Sequence, residues 1–332
     1  MSNTPSFHRV DYSIRTNKHI ERRLVFDRLK RMEAAFPLPS YRYLGLGSMW
    51  FVDFILAHRV LCIANMWSIE REEGAGRAEF NKPYDCIEIK SGAVSEVLAA
   101  MSSEAWSVPS IAWLDYDGRF DDDVRADCHR FLLKAAVGSV VVVSVNAHRN
   151  NYRRSGVGTE KESSIKTLRG LLGDAVPTDA GLGKPDVLPQ EFPALLSRSL
   201  LNYMSGVVRG SGRETEQMPD RFVPLFDLYH EDNAPMTTVG GAVVSWRQLA
   251  EMEKLFEVDA AHLFSGDAAA RDVLDLIPIT TKEKMALDRL LPCGAEEFVE
   301  RVASSGVRVV QEQADKYRRL YTRFPVFAET VV

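Results

Sequence analysis

The chain has 332 residues, of which 45% are hydrophobic and 26% are charged, and its formal net charge is -5 at pH 7. This composition excludes a disordered or fibrous chain, and the negative charge argues against a protein that coats nucleic acid along its whole surface. No apolar run reaches the roughly 18–20 residues of a membrane span, and the first residues lack the apolar core of a signal peptide. We therefore expect a cytoplasmic protein without membrane contact.

The first half of the chain alternates helical and extended patterns. Apolar spacing predicts an amphipathic helix over 18–36, which Pro37 and Pro39 end. Helical stretches then separate five predicted strands, at 41–48, 62–70, 86–90, 111–115 and 139–145. The last of these runs is apolar throughout, as expected of a central strand covered on both faces. Strands and helices that alternate in this way predict an α/β fold with a mainly parallel sheet.

The second half changes character twice. Residues 148–188 are rich in Asn, Arg and Gly, and we predict a mobile insertion over one end of the sheet, with one helical piece at 165–172. After a predicted helix near 192–208, the extended runs 222–229 and 236–244 predict an antiparallel hairpin. Beyond it the pattern is helical, in pieces at 246–256, 268–276, 281–291, 295–303 and 311–320.

These patterns predict three regions. They are an N-terminal helical extension (1–40), a Rossmann-like domain (41–245) that carries the insertion, and a helical C-terminal region (246–332). The C-terminal helices are candidates for contact with a protein partner or a second copy of the chain.

Glycines and acids mark the ends of the predicted strands. Gly45-Leu46-Gly47-Ser48 follows the first strand, Glu70 ends the second and Asp115 ends the fourth. Because the carboxyl ends of parallel strands meet at one edge, we expect these residues to border one cleft. Glycines let a ligand approach the backbone, and an acid at the second strand accepts hydrogen bonds from both hydroxyls of a ribose. A parallel sheet closed by a hairpin, with these motifs, is the layout of class I methyltransferases, which use S-adenosylmethionine.

A dehydrogenase on the same kind of sheet is the main rival. Its dinucleotide fingerprint needs a third glycine three positions after Gly47, where this chain has Trp50. The bulky indole would obstruct a pyrophosphate, whereas S-adenosylmethionine has none. The motifs of phosphate-binding loops, serine-hydrolase elbows and zinc proteases do not occur in the sequence.

Four segments of the sequence resemble a group of bacterial proteins described as O-methyltransferases of the class I superfamily. The segments begin at Arg15, Tyr43, Ser68 and Trp113, and the resemblance covers about residues 10–245. It implies a donor site built from the following residues: Gly45, Leu46, Gly47 and Ser48 along the turn, Glu70 at the ribose, Ser91 beside the adenine and Asp115 near the transferable group. The acid usual after the third strand is missing, since Ser91 follows Lys90.

The segment that begins at Asp115 suggests catalytic groups. We expect Asp115 to orient or deprotonate the acceptor, with Asp117 beside it and His148 giving acid–base help. Metal-dependent O-methyltransferases carry a similar Asp-x-Asp, and Asp115, Asp117 and Asn146 could supply half of the ligand shell of Mg²⁺. In the alternative, Asp115 is a polar cleft residue and Asp117 only begins a turn.

Candidate contacts to the acceptor come from the N-terminal extension and from the segments after the fourth and fifth predicted strands. Arg15 precedes the first predicted helix and Lys18 lies on it. Both would cover the donor or an anionic acceptor; in the alternative, they belong to a solvated helix face. Tyr116 and Tyr152 are candidates for the wall of the acceptor pocket.

The sequence therefore predicts an S-adenosylmethionine-dependent methyltransferase acting on an oxygen or nitrogen nucleophile of an unidentified acceptor. The alternative is a catalytically inactive module that senses a nucleotide or nucleic acid within a multiprotein system.

Overall fold

The computed structural model describes residues 15–47, 49–153, 163–181, 185–215, 217–255 and 271–325. Its strands in chain order are β1 (Arg42–Gly45), β2 (Asn65–Glu70), β3 (Ile87–Ser91), β4 (Ser110–Asp115), β5 (Val140–Asn146), β6 (Glu214–Thr215), β7 (Met218–Pro219), β8 (Arg221–Glu231), β9 (Pro235–Val244) and β10 (Asp272–Leu274). The helices are α1 (Thr16–Met32), α2 (Val52–Leu61), α3 (Glu72–Asn81), α4 (Val94–Ala100), α5 (Ser103–Ser107), α6 (Asp122–Lys134), α7 (Ser164–Leu172), α8 (Phe192–Gly210), α9 (Trp246–Leu255), α10 (Thr281–Asp288), α11 (Ala295–Ser305) and α12 (Gln311–Leu320).

Eight of these strands form one twisted sheet in the order β10-β8-β9-β5-β4-β1-β2-β3. Strands β1 to β5 are mutually parallel, whereas β9 runs antiparallel between β5 and β8. The prediction of a Rossmann-like α/β fold, with a parallel sheet closed by a hairpin, is confirmed. Because β1 to β5 point the same way, their carboxyl ends share one edge, where Gly45, Glu70, Ser91 and Asp115 are the last residues of β1, β2, β3 and β4.

The hairpin packs closely because β9 carries two glycines in its middle. A Cβ atom on Gly240 would lie 2.1 Å from the carbonyl oxygen of Val141 on β5, and one on Gly241 would lie 2.1 Å from that of Val223 on β8. Only a residue without a side chain fits between these backbones. The glycine pair therefore lets the antiparallel strand join the parallel sheet.

Each face of the sheet is covered by its own apolar core. On one face, α1 and α2 pack together with side chains of the C-terminal helices, among them Leu287, Phe298 and Tyr317. On the other face, α6, α7 and α8 cover the central strands. The N-terminal and C-terminal helices thus share one core, and the three-region division of the chain stays a prediction.

The predicted insertion contributes a packed helix. Side chains of α7, including Ile165, Leu168 and Leu171, are buried against the second face, beside α8. Parts of this insertion, at 154–162 and 182–184, lie outside the described residues.

One predicted helix is wrong. Residues 268–276 were expected to be helical, but Asp272–Leu274 form β10, which pairs in parallel with Leu228–His230 of β8. The open edge of β8 supplies hydrogen-bond partners that a local sequence pattern cannot reveal. Within the described ranges, no helix is both long and apolar enough to cross a membrane. The contact with a partner or second copy that we expected of the C-terminal helices stays a prediction.

Candidate functional site

The turn after β1 lies directly against the end of β2. A Cβ atom on Gly47 would lie 2.1 Å from Ser68 Oγ and 2.5 Å from Glu70 Oε1. Any other residue at this position would have to push the Glu70 carboxylate aside. The structure therefore brings together the turn and the acid that the sequence placed at one cleft, 23 residues apart in the chain.

The Glu70 carboxyl is half-buried at this edge and accepts a hydrogen bond from the Ser68 hydroxyl at 3.1 Å. Burial, and to a smaller extent the nearby Asp53, raise the pKa of Glu70, the hydrogen bond from Ser68 opposes the shift, and the resulting pKa is about 7. A ligand that donates hydrogen bonds to this carboxyl group would stabilise its ionised form. The two adjacent hydroxyls of a ribose are such donors.

A second acid, which the sequence analysis missed, lies beneath the turn. Asp53, near the start of α2, accepts a hydrogen bond of 2.7 Å from the Tyr43 hydroxyl, and its Oδ2 would lie 3.1 Å from a Cβ atom on Gly45. Burial raises the pKa of Asp53, although the charge of Arg22 opposes the shift. Asp53 and Tyr43 thus support the floor of the glycine turn.

Asp115, at the end of β4, is joined to the N-terminal helix. The ammonium of Lys18 lies 3.0 Å from Asp115 Oδ1 and 2.9 Å from Oδ2, and it also lies 2.7 Å from Glu21 Oε2. Burial alone would lower the pKa of Lys18, but the two carboxylates outweigh it and raise that pKa. Lys18 is therefore a buried partner of Asp115, and the solvated-helix interpretation of this stretch is wrong for Lys18.

The buried charges continue beneath Lys18. Glu21 is fully buried, and His230 Nε2, on β8, lies 3.5 Å from Glu21 Oε2. Burial tends to raise the pKa of Glu21, but Lys18 and His230 outweigh it and hold that pKa below its usual range. His230 Nδ1 in turn lies 3.8 Å from Asp232 Oδ2 in the hairpin turn. We call Lys18, Glu21, His230 and Asp232 the buried charge cluster.

Neither Glu21 nor His230 was predicted from the sequence, although a signal exists. In α1 the apolar stripe of Val25, Leu29 and Met32 continues toward the N-terminus through positions 21–22 and 18, which hold charged residues. Charges that continue an apolar stripe are expected to be buried and paired.

The remaining donor-site candidates are placed as follows. Leu46 is half-buried in the turn, and Ser48 lies outside the described residues. Ser91 is exposed at the end of β3, in register with Glu70. Along this edge Gly47 is buried, Glu70 is half-buried and Ser91 is exposed.

The catalytic candidates other than Asp115 lie at the solvent side. Asp117 and His148 are exposed. His148 Nδ1 accepts a hydrogen bond of 3.3 Å from the backbone N–H of Asn150 in the turn after β5. Arg15 is half-buried and immediately precedes α1, one turn before Lys18.

The structure does not bring the hydroxyls of Tyr116 and Tyr152 to the cleft. Tyr116 donates to Asp127 Oδ2 on α6 at 2.8 Å. Tyr152 is fully buried, donates to the carbonyl oxygen of Asn146 and accepts from the N–H of Phe120. These hydrogen bonds fix the loops after β4 and β5. Both tyrosines therefore have a structural role that does not require contact with a methyl acceptor.

The groups expected to bind Mg²⁺ are committed to other partners. Both oxygens of Asp115 contact Lys18, and Asn146 Oδ1 accepts hydrogen bonds of 2.9 Å from the N–H of His148 and from Asn151 Nδ2. In the part of the chain that the structure describes, no group of three or more His, Cys, Asp or Glu side chains could hold a metal ion. The expectation of Mg²⁺ is therefore not supported.

Together, the strand order, the single antiparallel strand added by a hairpin and the glycine turn facing an acid on β2 define a Rossmann-like methyltransferase architecture. Residues 10–332 match the sequence model of the family described as "Putative O-methyltransferase", and the chain belongs to that family. This membership confirms the resemblance drawn from the sequence. No curated protein matches the chain.

Solved structures similar to the chain include three bacterial proteins. An S-adenosylmethionine-dependent methyltransferase from Mesorhizobium loti is 14% identical, over 37% of this chain and 54% of its own, with a TM-score of 0.29. An O-methyltransferase family protein from Burkholderia thailandensis is 10% identical, over 69% and 60%, with a TM-score of 0.31. An uncharacterized protein from Listeria monocytogenes serotype 4b is 10% identical, over 89% and 94%, with a TM-score of 0.35. The chain spans about half the length of the Mesorhizobium protein, and likenesses at this level carry nothing about substrate.

Proposed function

We propose that the protein transfers the methyl group of S-adenosylmethionine, and that this donor lies across the carboxyl ends of β1 and β2. The position of the Glu70 carboxylate against the turn at Gly47 carries the proposal, because it places backbone without a side chain next to an acceptor for ribose hydroxyls. Membership of the O-methyltransferase family supports the reaction class.

The residues at this edge fit such a donor. The backbone from Gly45 to Gly47 would lie along it without steric hindrance, and Glu70 would accept hydrogen bonds from both ribose hydroxyls. Asp115, at the end of β4, presents a carboxylate at the neighbouring part of the cleft, about 29% exposed. When bound, S-adenosylmethionine supplies a methyl group activated by a sulfonium, whose loss leaves a neutral thioether.

The chain's own contribution is placement. Holding the acceptor's oxygen or nitrogen in line with the methyl carbon converts a bimolecular encounter into a single oriented step. Asp115 would accept a hydrogen bond from the donor or the acceptor, and the exposed His148 would take the proton that an oxygen nucleophile loses. Because S-adenosylmethionine is a metabolite of the cell interior, the proposal includes a cytoplasmic location.

Calorimetric titration tests the proposal. We expect the wild-type protein to bind S-adenosylmethionine and S-adenosylhomocysteine, and Glu70→Gln to weaken both affinities at least about tenfold, since charge-assisted hydrogen bonds to the ribose are lost. Glu79→Gln, on the exposed face of α3, is the matched control and should bind as wild type. Absence of binding by the wild-type protein, or equal binding by Glu70→Gln, would contradict the proposal.

A further inference from the structure

The buried charge cluster beneath the cleft is costly. Lys18 and Glu21 have side chains only 3% and 0% exposed. Removing an ammonium and a carboxylate from water costs several kcal/mol each, and replacing such a buried pair by apolar residues of similar volume is often neutral or stabilising. An apolar pair at these two positions of α1 would continue the stripe formed by Val25, Leu29 and Met32. The charges therefore have a use other than packing.

All hydrogen-bond donors of the Lys18 ammonium have partners within the protein. Its ammonium contacts both oxygens of Asp115 and Oε2 of Glu21, and it lies 5.2 Å from the centre of the Trp113 ring. Since an ammonium has three donor hydrogens, these partners account for its capacity. Lys18 consequently reaches the cleft only through Asp115.

Asp115 is the one member of this ionic contact that reaches the surface of the cleft. Its side chain is 29% exposed, whereas those of Lys18 and Glu21 are almost wholly covered. With both oxygens held on one side by the ammonium, the carboxylate has one orientation, and its remaining lone pairs face away from Lys18.

The lysine is itself held by the rest of the cluster. Glu21 fixes it from below and is flanked by His230. Asp232 accepts hydrogen bonds from the backbone N–H groups of Asn17 and Lys18, at 3.3 and 3.1 Å. The first turn of α1 is thus anchored to the hairpin, so that the Lys18 side chain starts from a fixed backbone.

We propose that Lys18 is a positioning residue of the methyl-transfer site. It clamps both oxygens of Asp115 and so presents that carboxylate in one orientation to N–H or O–H groups of the bound ligand, while Glu21 balances the charge that the clamp brings into the core. This inference rests on the proposed function.

A set of variants separates positioning from simple charge balance. Lys18→Met leaves Glu21 buried without its partner and is expected to lower the melting temperature. The double variant Lys18→Met/Glu21→Gln removes both charges and is expected to regain much of the lost thermal stability. If Lys18 positions Asp115, this double variant still binds S-adenosylhomocysteine roughly tenfold more weakly than wild type, because Asp115 has lost its clamp.

A double-mutant cycle then tests whether Lys18 affects ligand binding through Asp115. Asp115→Asn should weaken binding, and adding Lys18→Met/Glu21→Gln to it should weaken binding no further, since the lysine acts only through that carboxylate. Lys30→Met/Glu33→Gln, which removes a more exposed Lys–Glu pair with the same spacing at the C-terminal end of α1, is the matched control and should bind within about threefold of wild type.

The inference would be overturned if Lys18→Met/Glu21→Gln bound S-adenosylhomocysteine as wild type does, since Lys18 would then only balance Glu21. It would also be overturned if the losses from Asp115→Asn and from the double variant were additive. Either result leaves the proposed function intact. Failure of the wild-type protein to bind any donor analogue would instead overturn the proposed function, and this inference with it.

Discussion

Burial and the nearby Asp53 raise the pKa of Glu70 to about 7, although the hydrogen bond from the Ser68 hydroxyl works against this shift. A carboxyl group in this condition changes its protonation state within the physiological pH range. Only the ionised form can accept hydrogen bonds from both hydroxyls of a ribose, because the protonated form turns one oxygen into a donor.

Donor affinity should therefore depend on pH through Glu70. Below pH 7 the free protein carries the protonated acid, so the affinity for S-adenosylhomocysteine should fall by up to about tenfold per pH unit between pH 7 and pH 5.5, and level off above about pH 8. Calorimetric titration across this range measures it. The same slope in Glu70→Gln, or tighter binding of the wild-type protein at low pH, would show that another group is responsible.

Gly47 gives a second prediction at the same scale. Gly47→Ala would place a Cβ atom against Ser68 Oγ and Glu70 Oε1. We expect it to displace the Glu70 carboxylate and weaken donor binding at least about tenfold, as measured by calorimetric titration.

Gly76→Ala is its matched control. It lies on the exposed face of α3 with nothing within 4 Å of its added Cβ atom. It should keep the wild-type affinity and raise stability by about 0.5–1 kcal/mol, since alanine favours a helix interior. Wild-type affinity in Gly47→Ala would mean that no ligand uses this turn.

The sequence revealed the site residues that lie at the ends of predicted strands. Gly47, Glu70 and Asp115 were found because each follows a recognisable strand. The contact between Glu21 and His230 was not found: the apolar stripe of α1 indicates that position 21 is buried, but no local pattern indicates a partner about 200 positions away. Tyr152 looked accessible because it follows β5, but its ring packs against Phe192 of α8, in the core.

At the scale of elements, α1 lacks a capping side chain of its own. Arg15 precedes it and makes no side-chain cap. Asp232, from the turn between β8 and β9, takes over this role by accepting from the first N–H groups of the helix. A carboxylate there also stabilises the positive end of the helix dipole. The sequence could predict the helix but not this cap, which lies 214 residues away.

Asp232→Ala should accordingly destabilise the protein by about 1 kcal/mol, the usual cost of losing a helix cap. Chemical denaturation measures the free energy of unfolding, and hydrogen exchange should show faster opening confined first to the N-terminal turn of α1. Glu231→Gln, an exposed neighbour, is the control. Unchanged stability and unchanged exchange in Asp232→Ala would mean that the helix needs no cap from the hairpin.

At the scale of the whole molecule, α1 is joined to residues far along the chain. Asn17 exchanges two hydrogen bonds with the backbone of Leu276, and Arg323 Nε lies 2.6 Å from Asp27 Oδ2. The order of strands and helices along the chain was predictable because each element has its own local pattern of apolar residues. The sequence did not predict that the C-terminal helices cover the same face as α1, because an apolar helix face does not indicate which element it packs against.

This shared core predicts cooperative unfolding of α1 and the C-terminal helices. Hydrogen exchange monitored by mass spectrometry should give similar opening free energies for the core amides of α1, α11 and α12. Peptides from the exposed α3 should exchange independently and faster. Separate opening of α11 and α12 at much lower free energy would show that they form an independent unit.

The central claim concerns where the donor lies, and a crystal structure of the complex with S-adenosylhomocysteine tests it most directly. We predict that the ribose sits above the turn at Gly47, with both hydroxyls within about 2.6–3.2 Å of the Glu70 carboxylate oxygens. A nucleoside bound elsewhere on the protein, or a Glu70 side chain that still contacts only Ser68 in the complex, would contradict it.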